Sequence, residues 1–439
     1  MYLTGTLERL VLSDRNLVTY VPLPATSSES VRRNPYERSS YLHGFDGMPP
    51  SVSEGAIQLC DTCARMTKTK TEIEFRKYLK NRGKILNELE LQNILKQVKP
   101  YDKEYESVCA HKWNQIGKPL GSLGKLETIF CRIAGIQRSV CPTIKKRALI
   151  VMCADHGVVE EGVTQTGQEV TAIVAENFFD RKTCTSIMCE QVGCDLMVVD
   201  IGMAVDTPRT IRKKVAYGTK NMAKEPAMTR EQAVDAIAVG IEFAKNCREN
   251  GFHMLLTGEM GIGNTTASSA VASCLLNEPV ERMTGRGAGL SNRGLETKIR
   301  VIKSALNLHK PNPDDPIDVL SKVGGLDLAG MCGVFLGGAI YGLPVLIDGV
   351  ISAVAALLAA RICPPAKEYM IATHVSKEPA AQLVLDALGQ KAGLTMDLCL
   401  GEGSGAVAFL PLLDLGETIY LEMGTFDDIH VEAYQTFEE

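Results

Sequence analysis

The chain has little net charge and few aromatic residues, and both shortages limit what it can bind. Its formal charge is −5 over 439 residues, aromatic residues make up 5% of it, and Trp113 is its single tryptophan. No stretch combines a lysine and arginine run with interleaved aromatic residues, which is the pattern expected of a nucleic-acid-binding surface. The sequence therefore predicts small-molecule substrates, held by local hydrogen-bond donors, and no nucleic-acid partner.

Long uninterrupted apolar runs are also missing. The longest, residues 343–360, is broken by Asp348 and Gly349, so it is typical of a buried strand, a turn and a helix rather than of a membrane span. Residues 1–19 contain four charged side chains and lack the apolar core of a secretory signal. We therefore expect no membrane segment and a cytoplasmic location.

The fourteen cysteines are scattered and lack the spacing of a disulfide framework. They are interpreted as reduced thiols. Cys60 and Cys63 form a lone Cys-x-x-Cys pair without a second ligand pair, so two free thiols are favoured over a zinc or redox site. Both cysteines belong to residues 1–84, which we interpret as an N-terminal extension of unknown role because 22–40 is rich in Ser, Pro and Arg.

After Arg147, short apolar runs alternate with helical patterns. The apolar runs are 148–154, 196–201, 253–257, 345–348 and 369–372, and the helical patterns include 170–180, 230–250, 265–276, 350–361 and 379–388. Strands that are apolar almost throughout suit a parallel sheet covered on both faces. The sequence thus predicts an α/β layered core, in which ligands bind beyond the carboxyl ends of the strands.

A glycine-rich junction at 257–266 follows one of these strands and opens a helix. Gly261 and Gly263 allow backbone N–H groups to face an anion, and the helix N-terminus adds partial positive charge beside Asn264. Neither a P-loop lysine nor the dinucleotide-binding spacing is present. A phosphate site is predicted here, and hydrolysis of ATP or an NAD-dependent oxidoreductase is disfavoured.

A second glycine-rich loop, 284–290, precedes a helix that carries Lys298. Two anion loops suit a ligand with two anionic ends, such as a phosphate and a carboxylate. Asp348 ends a strand where a carboxylate can accept hydrogen bonds from ribose hydroxyls. Asp155, at the end of an earlier strand, is either a ligand contact or half of a buried polar pair with His156, and no metal is predicted.

Residues 400–406 place one carboxylate, Glu402, between glycines directly after an apolar run. Gly401, Gly403 and Gly405 permit a sharp turn close to a ligand. A carboxylate held in such a turn can accept a proton, whereas the alternative is a solvated turn that contains a glutamate.

Six ordered segments together carry a resemblance to a known family. They are 118–127, 154–162, 258–266, 323–330, 346–349 and 400–406. In this order they resemble the nicotinate-nucleotide:dimethylbenzimidazole phosphoribosyltransferases of cobalamin biosynthesis, over roughly residues 85 to 420. The resemblance implies a Rossmann-like parallel sheet flanked by helices, a smaller helical domain built from the terminal regions, and a homodimer. No cofactor is expected.

The resemblance also implies the reaction. Nicotinate mononucleotide donates its phosphoribosyl group to a benzimidazole nitrogen, and the products are α-ribazole phosphate and nicotinate. Glu402 matches the catalytic carboxylate, which takes the proton from the other ring nitrogen, and Glu259 matches a second carboxylate. The matched substrate-binding positions are Asp155, Thr166, Val174, Met260, Gly261, Asn264, Gly287, Lys298, Asp348, Ser376 and Leu400.

Departures from the family pattern concentrate near the position of the benzimidazole. Thr166 and Gly167 stand where the family has Ser-Pro, and Val174 replaces a glutamine amide, so base preference is expected to differ. A further departure is Ala380, where glycine is usual. Two alternatives stay open: a catalytically silent ligand-binding subunit, and a role for the extension as an interaction module.

The predicted domain boundaries follow from the same correspondence. Residues 85–145 form the N-terminal part of the small helical domain, 146–395 the α/β core, and 396–439 the catalytic loop with a C-terminal return to the small domain.

Overall fold

The chain divides into two compact units, Met1–Lys77 and Tyr78–Glu439. The computed structural model describes residues 86–434 and two short strands of the first unit, β1 (Val11–Leu12) and β2 (Val18–Thr19), which pair antiparallel. The predictions for the rest of residues 1–84, including Cys60 and Cys63, lie outside the described residues.

One six-stranded parallel sheet organises the second unit. The strands of this unit are β3 (Arg147–Ala154), β4 (Asp195–Gly202), β5 (Ile211–Arg212), β6 (Met254–Met260), β7 (Val345–Ile347), β8 (Met370–Ala372), β9 (His374–Val375) and β10 (Leu394–Thr395). The sheet order is β5-β4-β3-β6-β7-β8, and β9 pairs separately with β10. The order reverses between β3 and β6, which leaves a crevice at the carboxyl edge. This topology confirms the predicted Rossmann-like fold.

Helices connect the strands and pack against the sheet. They are α1 (Glu88–Leu95), α2 (Lys103–Gln115), α3 (Lys125–Gln137), α4 (Glu169–Asn177), α5 (Cys184–Val192), α6 (Arg230–Glu249), α7 (Asn264–Leu276), α8 (Val280–Met283), α9 (Asn292–His309), α10 (Pro316–Val323), α11 (Leu326–Tyr341), α12 (Val350–Ile362), α13 (Ala381–Leu388) and α14 (Ser404–Glu422). Among them α4, α5, α11, α12 and α14 contact the sheet directly. The predicted alternation of strands and helices is therefore present along the chain.

Strand β6 is longer than the sequence predicted. We expected it to end at Thr257 and Glu259 to lie in a loop, but the strand continues to Met260. The reason is its pairing with β3, which runs without a break from Arg147 opposite Met254 to Cys153 opposite Met260. Glu259 is therefore held by the sheet and not by a flexible turn.

A small aromatic cluster joins the helices from the two ends of the second unit. Trp113 on α2, Phe130 on α3 and Tyr420 on α14 have ring centroids 5.1 to 6.2 Å apart. Helix α14 thus runs from the predicted catalytic loop at its start to this cluster at its end. The predicted domain boundaries all fall within one compact unit or outside the described residues, and they stay predictions.

Helix α14 is also long and apolar enough to cross a membrane, judged by length and composition alone. It is the only helix in the described part of the chain to meet that test, and 56% of its apolar window is buried inside the protein. Core helices of globular proteins meet the same test.

Candidate active site

A cavity of about 320 Å³ opens at the carboxyl edge of the parallel sheet, where the strand order reverses. Its walls come from the segments that follow β3, β6, β7 and β8, together with 286–290 and 398–404. Loops that are distant in the sequence meet here because the carboxyl ends of parallel strands share one edge.

Most of the predicted site residues line this cavity. These are Glu402, Glu259, Thr166, Met260, Gly261, Asn264, Gly287, Asp348, Ser376 and Leu400. Asp155, Val174 and Lys298 are absent from its lining.

Asp155 and Val174 face the protein interior. Asp155 is 1% exposed, its Oδ2 accepts the backbone N–H of Ala204 at 2.7 Å, and burial raises the pKa of the carboxyl. It therefore joins the loops after β3 and β4. Val174 lies half-buried on α4 and packs against the hydrophobic core. Neither side chain lines the cavity, and their contact with substrate stays a prediction.

Lys298 lies directly behind the cavity wall. Its Nζ donates to Thr265 Oγ1 at 2.8 Å and to the carbonyl oxygen of Gly285 at 3.2 Å, and Thr265 itself lines the cavity. The side chain is 1% exposed, and burial lowers the pKa of the amine to about 8. Lys298 thus ties the second glycine-rich loop to the first turn of α7 and brings a positive charge close to the cavity.

The glycine-rich junction at 257–266 was predicted to bind a phosphate. Gly263 precedes α7 with a φ of 100°, and no side chain caps this helix, so its first backbone N–H groups lack a side-chain acceptor. Asn264 does not extend into the cavity as a free donor, because its Nδ2 donates to Glu259 Oε2.

Glu259 is a buried acid at the floor of the cavity. It is 7% exposed, and burial raises the pKa of its carboxyl to about 8, with further contributions from the negative charges of Asp327 and Asp348. Its Oε1 accepts the backbone N–H of Glu402 at 3.4 Å. At neutral pH this carboxyl is therefore mostly protonated.

Glu402 has an unusual backbone. Its φ is 60°, between Gly401 at 86° and Gly403 at 82°, so three consecutive residues are left-handed. Glycine adopts this conformation freely, whereas for glutamate it costs about 1 to 2 kcal/mol. The Oε2 atom of Glu402 is buried; burial raises the pKa of the carboxyl, and the neighbouring hydroxyl of Thr185 lowers it.

The carboxylate of Asp348 accepts hydrogen bonds from the backbone of the loop that carries Glu402. Its Oδ1 accepts the backbone N–H groups of Gly405 at 2.7 Å and Ala406 at 3.0 Å, and its Oδ2 accepts that of Gly403 at 3.2 Å. The side chain is buried, and burial raises its pKa while the neighbouring His374 lowers it. The predicted ribose contact therefore competes with existing bonds to the backbone.

Known proteins resemble this chain over most of its length. A family model described as phosphoribosyltransferase matches residues 98–431. The nicotinate-nucleotide–dimethylbenzimidazole phosphoribosyltransferase of Ruminiclostridium cellulolyticum is 44% identical over 349 residues, which are 79% of this chain and 99% of that protein. The protein of the same name from Acetivibrio thermocellus is 45% identical over 347 residues, with the same coverage. This chain belongs to the nicotinate-nucleotide–dimethylbenzimidazole phosphoribosyltransferase family.

A solved structure agrees with that assignment. The crystal structure of CobT from Thermus thermophilus matches with a TM-score of 0.71 and 37% identity, over 75% of this chain and 99% of that one. The chain is accordingly a phosphoribosyltransferase, and the predicted family is confirmed.

Sequence reasoning missed three charged or titratable residues that this member of the nicotinate-nucleotide–dimethylbenzimidazole phosphoribosyltransferase family places in its cavity. Arg286 is the only lysine or arginine in the cavity lining within the described residues, and its guanidinium donates to the carbonyl oxygen of Leu290 at 2.7 Å. His374 is buried, which lowers the pKa of its imidazole, and Glu378 lies nearby in the same loop. Arg286 lies in the second glycine-rich loop, and His374 and Glu378 lie two residues on either side of Ser376, so the shared sheet edge was the available signal.

Within residues 86–434 we find no candidate metal site, that is, no group of three or more histidine, cysteine, aspartate or glutamate side chains that could hold a metal ion. The prediction of a metal-free site stays a prediction.

Proposed function

We propose that this chain transfers the phosphoribosyl group of nicotinate mononucleotide to 5,6-dimethylbenzimidazole or a related base. The products are α-ribazole 5′-phosphate and nicotinate, and the reaction belongs to assembly of the lower ligand of cobalamin. The observation that carries the proposal is Glu402, a half-buried carboxylate with a raised pKa, which lines the same cavity as the anion-binding first turn of α7.

The proposed chemistry is a displacement at the anomeric carbon. One benzimidazole nitrogen attacks C1′, and the bond from C1′ to the pyridinium nitrogen breaks. The electron pair of that bond neutralises the pyridinium, so nicotinate leaves without a general acid. Glu402 accepts the proton from the second benzimidazole nitrogen, and a pKa raised by burial makes it a stronger base. Attack from the opposite face converts the β-nucleotide to an α-linkage.

The two carboxyl groups are suited to different tasks. Glu259 has a pKa of about 8 and keeps its proton at neutral pH, so Glu402 is the carboxyl that accepts one. A neutral Glu259 also avoids a second negative charge close to Glu402, to whose backbone N–H it is bonded.

The phosphate is assigned to the first turn of α7. Gly261, Gly263 and Thr265 line the cavity, and no side chain caps the helix that begins here. Lys298 supports Thr265 from behind, and Arg286 at the rim supplies the second positive charge. Together these donors suit a dianion better than an uncharged ligand.

We assign the base to four residues that line the cavity, Thr166, Leu290, Leu398 and Leu400. Three of these side chains are apolar and one carries a hydroxyl, which suits a flat methylated heterocycle. Val174 does not line the cavity, so Thr166 is the departure that is expected to alter base preference.

The chain is also proposed to act as a cytoplasmic homodimer. The twelve cysteines within residues 86–434 are free thiols, as expected in a reducing compartment. Leu412 and Leu415, one turn apart on α14, are 37% and 58% exposed, and a second copy of the chain would cover these apolar side chains.

The test is release of nicotinate from nicotinate mononucleotide by the purified full chain in the presence of dimethylbenzimidazole, followed by chromatography. The expected result is stoichiometric formation of nicotinate and an α-linked nucleotide. If the protein binds both substrates but releases no nicotinate with any benzimidazole, purine or phenol offered, it is a silent binding subunit and the proposal fails.

A further inference from the structure

Asp348 acts as an N-cap for a helix that lies far away in the sequence. Helix α14 begins at Ser404, and its N-cap residue is Gly403, which has no side chain to bond the first-turn N–H groups. Asp348 accepts three backbone N–H groups at this helix start, from Gly403, Gly405 and Ala406, at 3.2, 2.7 and 3.0 Å. A carboxylate at this position also interacts favourably with the helix dipole.

The position of Asp348 is itself fixed by a chain of hydrogen bonds. Its backbone N–H donates to Ser352 Oγ at 3.1 Å, and Ser352 Oγ lies 2.6 Å from Thr257 Oγ1. Thr257 Oγ1 in turn donates to the carbonyl oxygen of Leu346 at 3.1 Å. One consistent orientation of the hydroxyl protons satisfies every group, so the carboxylate is anchored to two neighbouring strands of the sheet.

This anchor fixes the peptide that follows Glu402. The N–H of Gly403 belongs to that peptide, and Asp348 Oδ2 holds it, while Glu259 Oε1 accepts the N–H of Glu402 itself at 3.4 Å. Glu402 is left-handed and needs such bonds, because an L-residue with a side chain tends to leave this conformation.

We propose that Asp348 is a positioning residue for Glu402: it holds the backbone of the 401–403 turn so that the Glu402 carboxylate meets the attacking base. The proposal rests on the proposed function of Glu402 as proton acceptor. It differs from a ribose contact, because all three backbone bonds of Asp348 lead to the Glu402 turn or to the helix that follows it.

The test is a double-mutant cycle of Asp348→Asn, Glu402→Gln and the double variant, with kcat and KM measured for nicotinate mononucleotide. An asparagine amide turns a donor toward one of the bonded N–H groups, so the turn loosens. Asp348→Asn is expected to lower kcat about 100-fold, the scale of a catalytic group displaced by about 1 Å, with KM unchanged. In the Glu402→Gln background the same change is expected to have little further effect, because both act on one step.

Two kinetic results would overturn the proposal. A raised KM with unchanged kcat assigns Asp348 to the ribose, and multiplicative losses in the double variant show that it acts independently of Glu402. Asp200→Asn is the matched control: Asp200 is a buried aspartate on β4 that accepts the N–H of Met203 at 2.9 Å and pairs with Lys214 at 3.0 Å. It is expected to leave kcat within about twofold, because neither Asp200 nor these two partners line the cavity.

Hydrogen exchange gives a readout that does not depend on turnover. Peptides covering 401–407 are expected to exchange at least about tenfold faster in Asp348→Asn than in the wild type, since the bonded N–H groups lose their acceptor. Unchanged exchange refutes the proposal even if the wild type proves inactive, whereas an inactive wild type with faster exchange in the variant refutes only the proposed function. If Asp348→Asn does not fold, Ser352→Ala, which frees the backbone of Asp348, is expected to produce the same exchange pattern and a smaller loss of kcat.

Discussion

Glu259 is expected to make this protein less stable as pH rises, whereas most carboxyl groups in folded proteins have the opposite effect. Its carboxyl has a pKa of about 8 in the folded chain against an ordinary value of 4.5. Between these values the folded chain binds more protons than the unfolded chain, so the free energy of unfolding falls as pH rises. This contribution is fully favourable below about pH 4.5 and is lost as pH rises through about 8.

The size of the effect follows from the same two values. At about 1.36 kcal/mol for each pKa unit, the difference between 4.5 and about 8 corresponds to about 5 kcal/mol, an upper limit because the interior relaxes around the charge. Glu259→Gln replaces the neutral acid by a neutral group of the same shape, whose NH2 cannot accept an N–H as both oxygens of Glu259 do. That constant cost is the same at every pH, so the stability of the variant relative to the wild type is expected to rise by several kcal/mol between pH 5 and pH 8.5.

Urea unfolding at several pH values measures this difference. Trp113, the only tryptophan of the chain, is 1% exposed in the aromatic cluster, so its fluorescence reports unfolding of the second unit. Glu127→Gln is the matched control, because Glu127 is buried but paired with Lys118 at 2.7 Å. That variant is expected to be less stable than the wild type throughout the range. If the stability of Glu259→Gln relative to the wild type does not rise with pH, Glu259 is not a neutral acid.

Three further outcomes are expected. Glu402→Gln should lower kcat by about two to four orders of magnitude with unchanged affinity for nicotinate mononucleotide, because a positioned base is lost; unchanged turnover in the nicotinate assay contradicts its role. Lys298→Met should raise KM for nicotinate mononucleotide at least about tenfold through loss of a buried charge, whereas Lys303→Met, exposed on the same helix, should not. Leu415→Asp should yield monomers by light scattering, whereas Leu308→Asp, at another exposed leucine, should not. If both variants are dimers, the exposed face of α14 is not the dimer interface.

The fold was predictable because its pattern is local. Near-continuous apolar runs and helical periodicity located β3, β4, β6, β7 and β8 and the helices between them, and parallel strands dictate that their loops share one edge. The end of β6 was not predictable, since Gly258 and Glu259 resemble a turn. Their strand conformation is imposed by pairing with β3, more than one hundred residues earlier.

The sequence predicted which loops form the site, but it did not predict all of the contacts that individual side chains make there. Lys298 and Asp155 were predicted to contact the ligand. Each side chain is buried and hydrogen-bonded to a partner that no local sequence pattern reveals. For Lys298 the partners are Thr265 Oγ1 and the carbonyl of Gly285, and for Asp155 the partner is the N–H of Ala204. Buried polar groups must find such partners, and the choice among them depends on three-dimensional packing.

Glu402 shows both what the local sequence predicts and what only the three-dimensional structure reveals. Its glycine neighbours showed in advance that the chain could turn sharply there, but a glycine at position 402 would suit the left-handed turn better than glutamate does. The fold therefore retains a carboxylate where the backbone disfavours it by about 1 to 2 kcal/mol. The bonds from Asp348 and Glu259 to this turn offset that strain. A strained residue held by two buried acids at the wall of a cavity is the arrangement expected when the side chain, and not the turn, is what function requires.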